Sequence, residues 1–237
     1  MRLIDEALNC MPSFADETIG GYRPQLNSIG DIKSFAVEEK WDDCATVEIF
    51  KVRGTAHPDY CGISWRELLS AGKRMPQNLA LLDSNPEYYV SRDKKHPSMN
   101  FEMVDGSLYL AGDGNHRTCI ARFYLNLICE SFLHGVELRE FVTDKVARAN
   151  FNKVKELLDS KGLFHVEALP LKEKVSREDS PGRHVEKFKV DVLLKNRMNG
   201  MEHTLSTYGC DPLIGILEKW SFLNRHGIGL PEILRKD

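Results

Sequence analysis

Leu108-Tyr109-Leu110-Ala111-Gly112-Asp113-Gly114-Asn115-His116-Arg117-Thr118 is the stretch on which the fold turns: an apolar run breaks into a Gly-rich turn, and polar residues open a helix. Upstream, Asn100 to Asp105 reads as a strand, and Asp105-Gly106 is a two-residue hairpin signal that pairs it with Leu108 to Ala111. Downstream, Ile120, Phe123, Tyr124 and Leu127 recur at three- and four-residue spacing, so one helix face packs on a core while the N-terminus points outward. Unpaired N–H groups and the positive end of the helix dipole gather at that start, and Arg117 adds a planar fork of donors suited to phosphate oxygens. A plainer alternative also fits: Asp113 or Asn115 caps the helix, and the glycines supply positive φ. A helix start needs one capping side chain, however. Asn115, His116 and Arg117 place three polar ones within a turn, which favours phosphate binding.

A strand, then Gly114, Asn115, His116 and Arg117, then a helix resembles the signature of the ParB/sulfiredoxin superfamily. Sulfiredoxins carry Gly-Cys-His-Arg at this junction and ParB proteins Gly-Glu-Arg-Arg; the DGQHR-type proteins linked to DNA phosphorothioation carry a near-identical string. The resemblance extends loosely over Ala45 to Thr143: a strand, a helix near Ile63 to Ala71, the hairpin, the motif helix and a last strand at Gly135 to Phe141. It implies an α+β, ParB/sulfiredoxin-like domain that binds a nucleotide, ATP or CTP, at this turn. Family members include ATPases, a CTP-dependent DNA clamp, nucleases and plasmid fertility-inhibition proteins. One departure matters. The sulfiredoxin cysteine is Asn115 here, and only a thiolate attacks a sulfinyl phosphate, so sulfiredoxin chemistry is not expected. Cys119 lies about one helical turn further on and points elsewhere.

On this reading the backbone around Gly112, Gly114, Asn115, His116 and Thr118 holds phosphate oxygens, and Arg117 neutralises charge developing in phosphoryl transfer. His116 is the candidate general acid or base, and Asp113, with Glu67, the candidate ligand of Mg²⁺. Ser64-Trp65-Arg66-Glu67 is a capping box that fixes a helix start. The corresponding helix of the family faces the nucleotide, which makes Arg66 and Glu67 candidates as well; Glu67 is equally suited to capping. The function expected is a nucleotide-dependent enzyme acting on DNA, by ATP hydrolysis or phosphodiester cleavage. Two alternatives stay open: a non-catalytic module that holds CTP or ATP while gripping DNA or a partner protein, and a structural interaction protein without nucleotide.

Length and composition set the frame. At 237 residues and 42% hydrophobic content the chain fills a core of its own. No run approaches the roughly 18 apolar residues of a membrane helix, and Met1 to Met11 lacks a signal-peptide pattern, so no membrane partner and a cytoplasmic location are expected. Six cysteines without C-x-x-C spacing suggest reduced thiols. His57, Asp59 and Cys61 have metal-ligand chemistry, but Pro58 and Gly62 favour a plain loop. Charge divides the chain: residues 1–144 carry 15 Lys and Arg against 22 Asp and Glu, and residues 145–237 carry 17 against 13. A basic second half suits attraction to nucleic acid, although a surplus of four is also ordinary surface charge.

The expected organisation is an N-terminal extension over 1–44, the ParB/sulfiredoxin-like domain over 45–144, and a smaller α+β domain over 145–237. In the extension, Ile29, Ile32, Phe35 and Ala36 have helical spacing after the Asn27-Ser28 turn signal, and Gly20-Gly21 and Pro24 imply an irregular lead-in. Ala45 to Val52 is β-branched, as in a covered strand; Pro76 followed by Leu79, Leu81 and Leu82 suggests a short helix; Arg92 to Pro97 reads as a charged loop. Beyond Asp144 the pattern is a helix (Val146 to Ser160), a strand (Phe164 to Val175), a turn at Ser180-Pro181-Gly182 and an alternating strand through Phe188, Val190, Val192 and Leu194. Asn199-Gly200 closes a hairpin onto Met201 to Tyr208, and Asp211-Pro212 starts a helix with Leu213, Leu217 and Trp220 on one face. This order is similar to the double-stranded-RNA-binding topology, but Asp211, Pro212 and Leu213 stand where lysines are needed. A packing or homodimerisation role is expected instead.

Overall fold

The computed structural model describes residues 3–10, 12–22, 32–220 and 231–235. The Asn27-Ser28 turn, Pro24 and Ile29 lie outside them. The chain is α+β, and its described residues divide into two compact units. The first contains residues up to 22, Glu39–Phe141 and Glu178–Val185; the second contains 32–38, Val142–Arg177 and residues from Glu186 onward.

The first unit holds α1 (Leu3–Cys10), β1 (Gly20–Gly21), most of β2 (Ala36–Glu48), β3 (Val52–Thr55), α2 (Trp65–Ala71), α3 (Met75–Ser84), α4 (Glu87–Val90), β4 (Asn100–Val104), β5 (Ser107–Leu110), α5 (Asn115–Leu127) and most of β6 (Phe132–Thr143). Strand order is β1-β3-β5-β4-β6-β2. The Asp105-Gly106 hairpin forms as its sequence demands: both residues adopt positive φ, 48° and 82°, and β4 and β5 pair antiparallel from Phe101↔Leu110 to Val104↔Ser107. β3 runs parallel to β5, with Gly54↔Tyr109 and Thr55↔Leu110 in register. Residues 56–60 and 111–114 therefore leave the sheet from the same edge, at the C-terminal ends of neighbouring parallel strands, where ligand crevices of open sheets form. Behind that edge Ile120, Phe123 and Leu125 of α5 pack with Trp65, Leu68 and Leu69 of α2, all buried.

The second unit holds α6 (Lys145–Ser160), β7 (Val166–Ser180) and β8 (Arg183–Asn196) apart from residues 178–185, β9 (Glu202–Leu205) and α7 (Cys210–Lys219). Asp144 caps α6 by accepting from Ala147 N–H at 2.9 Å. Val190, Val192 and Leu194 of β8 are buried with Phe151, Val154 and Leu158 of α6 and Leu213 and Leu217 of α7. Among the described residues no helix is long and apolar enough to cross a membrane.

Several boundaries differ from the sequence reading. The strand expected over Ala45 to Val52 is two strands: β2 starts at Ala36, and a 3₁₀ turn at Ile49–Lys51 separates it from β3. The helical spacing holds for Ile32–Phe35, which form a 3₁₀ turn, and misled at Ala36 because β2 (Ala36-Val37-Glu38-Glu39-Lys40-Trp41-Asp42-Asp43) is polar and half-buried; its conformation comes from strand pairing and not from an apolar stripe. β6 begins at Phe132, and β7 continues to Ser180 because Lys174 and Arg177 reach Glu186 across the ribbon at 2.6 and 2.9 Å. The segment written as 1–44 is divided: residues 12–22 pack in the first unit, whereas Phe35 is buried against Phe151 in the second.

Candidate functional site

Gly114 sets the geometry of the turn. It is buried at φ 115° as the residue preceding α5, and a Cβ there would lie 3.2 Å from the Met99 side chain. No side chain caps α5, so neither Asp113 nor Asn115 fills the capping role that the plainer alternative assigned. Asn115 is used otherwise: its Nδ2 donates to Gly112 O at 3.2 Å, and its Oδ1 accepts from Thr55 Oγ1 at 2.6 Å. The Thr55 hydroxyl in turn accepts from His57 N–H at 3.0 Å. This clip ties the Gly-rich turn to the end of β3. Asn115 holds the site's shape rather than facing its opening. Thr118 is fully buried, with a hydroxyl that lacks a partner among the described residues.

What remains exposed around the α5 start is Gly112, Asp113 and parts of His116 and Arg117. Two recesses flank them. The first, about 380 Å³, is a trough between α3 and the opening turn of α5. Arg74, Asn78, Leu81 and Asn85 repeat along one face of α3 to make one wall. Tyr88 and Pro97 line it beside Arg117. The second recess, about 370 Å³, lies on the other flank and is lined by His57, Asp59, Tyr60, Lys73 and Asn115. Arg74, Asp113, Gly114 and His116 border both.

Arg117 is positioned by donation from Nη1 to Tyr88 Oη at 2.9 Å and to the Pro97 carbonyl. Tyr88 Oη itself donates to Pro97 O at 2.9 Å; burial raises its pKa and the neighbouring guanidinium opposes that rise. His116 is half-buried. Its Nε2 accepts a long bond from Arg74 N–H at 3.4 Å and lies 3.4 Å from Tyr60 Oη; the Tyr60 ring packs edge-on against it and stacks on His57 at 4.4 Å. Burial first, then neighbouring Arg74 and His57, hold the His116 pKa below the ordinary imidazole value, which favours its neutral form.

The remaining expected residues fall elsewhere. Glu67 is spent on the capping box: its Oε2 accepts from Ser64 N–H at 2.6 Å and from Ser64 Oγ at 3.0 Å, and those bonds lower its pKa. Arg66 forms a two-point pair with Asp16 at 2.7 and 2.8 Å. Neither lines either recess. Asp113 does line both, and Asp59 joins it in the second. Among the described residues no group of three or more His, Cys, Asp or Glu gathers as a metal site. Two carboxylates are nonetheless a donor set that suits Mg²⁺, which commonly completes its shell with phosphate oxygens and water. Cys119 is fully buried with Sγ donating to Trp65 O at 3.3 Å, and burial pushes its thiol pKa up, so it contributes nothing nucleophilic. Sequence reading missed Lys73, Arg74, Asn78, Tyr60 and Tyr88. The Arg74, Asn78, Leu81, Asn85 spacing was the available signal, on a helix read only from Pro76 and its leucines; Leu81 is 64% exposed at the trough wall.

No protein-family model, no curated protein and no solved structure matches this chain, so the functional reading rests on these residues and their geometry.

Proposed function

We propose that this chain binds a nucleotide along the α3–α5 trough, with phosphate at the α5 N-terminus, and promotes phosphoryl transfer or hydrolysis there. The supporting observation is the polarity of the trough. Arg74, His116, Arg117 and a helix start that no side chain caps supply cationic groups and donors, and Leu81, Tyr88 and Asn85 add an apolar side chain, a ring and an amide to the same lining. An anionic group attached to an aromatic ring system matches that combination. The resemblance of Gly114, Asn115, His116 and Arg117 to the ParB/sulfiredoxin signature supports the same ligand class and forms part of the proposal.

In this reading Arg117 and the amides beyond Gly114 stabilise charge on the phosphoryl oxygens. Neutral His116 accepts a proton from the attacking group; its 3.4 Å contacts are long enough to be exchanged for substrate. Mg²⁺ would be held by Asp113 and Asp59 together with phosphate oxygens and would add positive charge opposite Arg117.

The DNA-directed part of the expectation gains no support from charge. In the second unit Lys153 pairs with Glu218, Lys189 with Asp191, Lys195 with Glu202 and Arg197 with Glu167, so these four cations are each matched by a neighbouring carboxylate, while one-to-one pairing leaves the surplus of four over residues 145–237 unchanged. A second reading, in which the nucleotide is a conformational ligand, is favoured by one contact set. Arg117 links α5 to Tyr88 of α4 and to Pro97, so a phosphate that draws Arg117 away releases both. Titrating the full chain with ATP and CTP while following phosphate release, with and without Mg²⁺, tests both readings. Binding with turnover supports the enzyme, binding without turnover supports the conformational ligand, and no binding removes the nucleotide from either.

A further inference from the structure

β7 is 15 residues long and stands last in the strand order, so among the described residues its outer edge pairs with no other strand. A long exposed edge offers a row of backbone N–H and C=O groups to another chain, and folded proteins ordinarily blunt such edges with proline, charge or a short span. Here the blunting is partial. Pro170 has no N–H to give a ladder and interrupts the strand near its start, whereas residues 171–180 contain neither proline nor glycine. Residues 173–180 are all exposed, Val175 among them at 67%.

Charge along this edge is of mixed sign, and its order decides what the edge fits. When two copies of a strand pair antiparallel about a two-fold axis, residues equally far from the axis residue stand opposite each other. An axis at Val175 sets Val175 against Val175, Glu173 against Arg177 and Lys172 against Glu178, and symmetry repeats each ion pair. The neighbouring axes lack this match. At Lys174 two lysines meet, and at Ser176 the gain of Lys174 against Glu178 is offset by Glu173 against Asp179. The Val175 axis also falls in the middle of the run bounded by Pro170 and Pro181, so the ladder uses the whole proline-free edge. Arg177 already reaches Glu186 of its own chain, and a guanidinium has donors for a second carboxylate. We propose that the outer edge of β7 over residues 171–179 is a homodimer interface, on which a second copy lays its own β7 antiparallel with Val175 on the two-fold axis. None of these residues lines either recess, so the proposal is independent of the nucleotide reading. A contact made by one strand edge is small, which makes the expected dimer a dissociable one.

Sedimentation velocity of the full chain over a concentration series tests this, with circular dichroism as the fold control for each variant. The wild type is expected to pass from monomer to dimer as concentration rises. Glu173→Lys and Arg177→Glu each turn two opposite-charge pairs into like-charge pairs, so either variant alone should dimerise at least about tenfold more weakly, equivalent to ~1.4 kcal/mol. Mixed in equal amounts, the two variants face each other with opposite charges again and should form a heterodimer close to wild-type strength. Neither neighbouring axis yields that rescue. Should Arg177→Glu lose its fold along with the Glu186 contact, Val175→Lys takes its place by setting two ammonium groups against each other on the axis. A wild type that stays monomeric at every concentration overturns the proposal and leaves the edge to a strand of a different protein. A dimer that the variants leave unchanged overturns it too, since its contact then lies elsewhere on the chain. Folded variants that weaken the dimer singly but fail to pair when mixed overturn the Val175 register and the interface built on it.

Discussion

At the scale of the residue, the Gly-Asn-His-Arg string divides its labour between shape and chemistry. Asn115 is fully committed to Gly112 and Thr55, whereas Arg117 is held at the trough with donor capacity beyond its Tyr88 and Pro97 bonds. If Arg117 contacts phosphate, Arg117→Ala should lose a charge-assisted contact of about 1.5–3 kcal/mol, or one to two decades of nucleotide affinity. Arg117→Lys should recover only part, because an ammonium does not reproduce the planar fork. Titration with circular dichroism as the fold control decides it, and unchanged affinity in Arg117→Ala would remove the residue from the site. His116 makes a separate prediction about pH. Its folded pKa is lowered, so between the folded and unfolded values the unfolded chain binds more protons and stability rises with pH. Acidification from the unfolded value near 6.5 down through the folded one should therefore lower the melting temperature. Replacing His116 with Gln should flatten that slope. His134, shifted the same way by burial, keeps its share in both proteins. Identical slopes would show that His116 is not held neutral by the fold.

At the scale of the element, α5 delivers the site because its far side is anchored. Arg122 is completely buried, with its guanidinium 4.4 Å from the Trp65 ring centre and 4.7 Å from that of Phe14. Nη1 donates to Val52 O at 2.9 Å and Nη2 to Glu17 at 3.2 Å; burial pulls its pKa down to about 10, which still leaves it charged. Arg122→Ala should destabilise the protein by about 3 kcal/mol or more, since it removes packing and orphans the Val52 carbonyl. Glu17→Gln should cost less than about 1 kcal/mol because Glu17 is 60% exposed. Urea denaturation of both variants checks the asymmetry, and equal losses would assign the anchoring to the ion pair instead of the aromatic cage. This element also marks how far sequence reading goes. The Asp105-Gly106 turn, the Ser64–Glu67 capping box and the 3.6-residue period of α5 are local, and each formed where the residues placed it. Arg122 was invisible because nothing in its neighbours announces a buried cation; its cage comes from residues 14, 50 and 65. The second flank of the site was hidden for the same reason: Tyr60 meets His116 through the parallel register of β3 and β5, and Lys73 lines the same recess from the turn between α2 and α3, helices that pack on α5.

At the scale of the whole chain, sequence order and compactness disagree, and the charge division at residue 144 does not mark a place where the chain can be cut. Residues 178–185 belong to the first unit although they lie within the long β7–β8 ribbon. There Asp43 N–H donates to Gly182 O at 2.9 Å, and the His184 ring stacks on Trp41 at 5.2 Å. A chain ending at Asp144 loses both contacts and exposes the backbone of β2 that they covered. Each is worth about 0.5–1.5 kcal/mol, and a loss of a few kcal/mol lowers the melting temperature of a domain this size by several degrees or more. The truncated protein should therefore melt well below the full chain, or fail to stay soluble through the unpaired strand. Thermal unfolding of the two chains side by side measures it. Coincident melting of residues 1–144 and the matching transition of the full chain would show that the 178–185 segment contributes nothing to the first unit. The same expectation sets how nucleic-acid binding must be tested: salt dependence of the intact chain reports phosphate contacts without dismantling the unit that carries the α3–α5 trough.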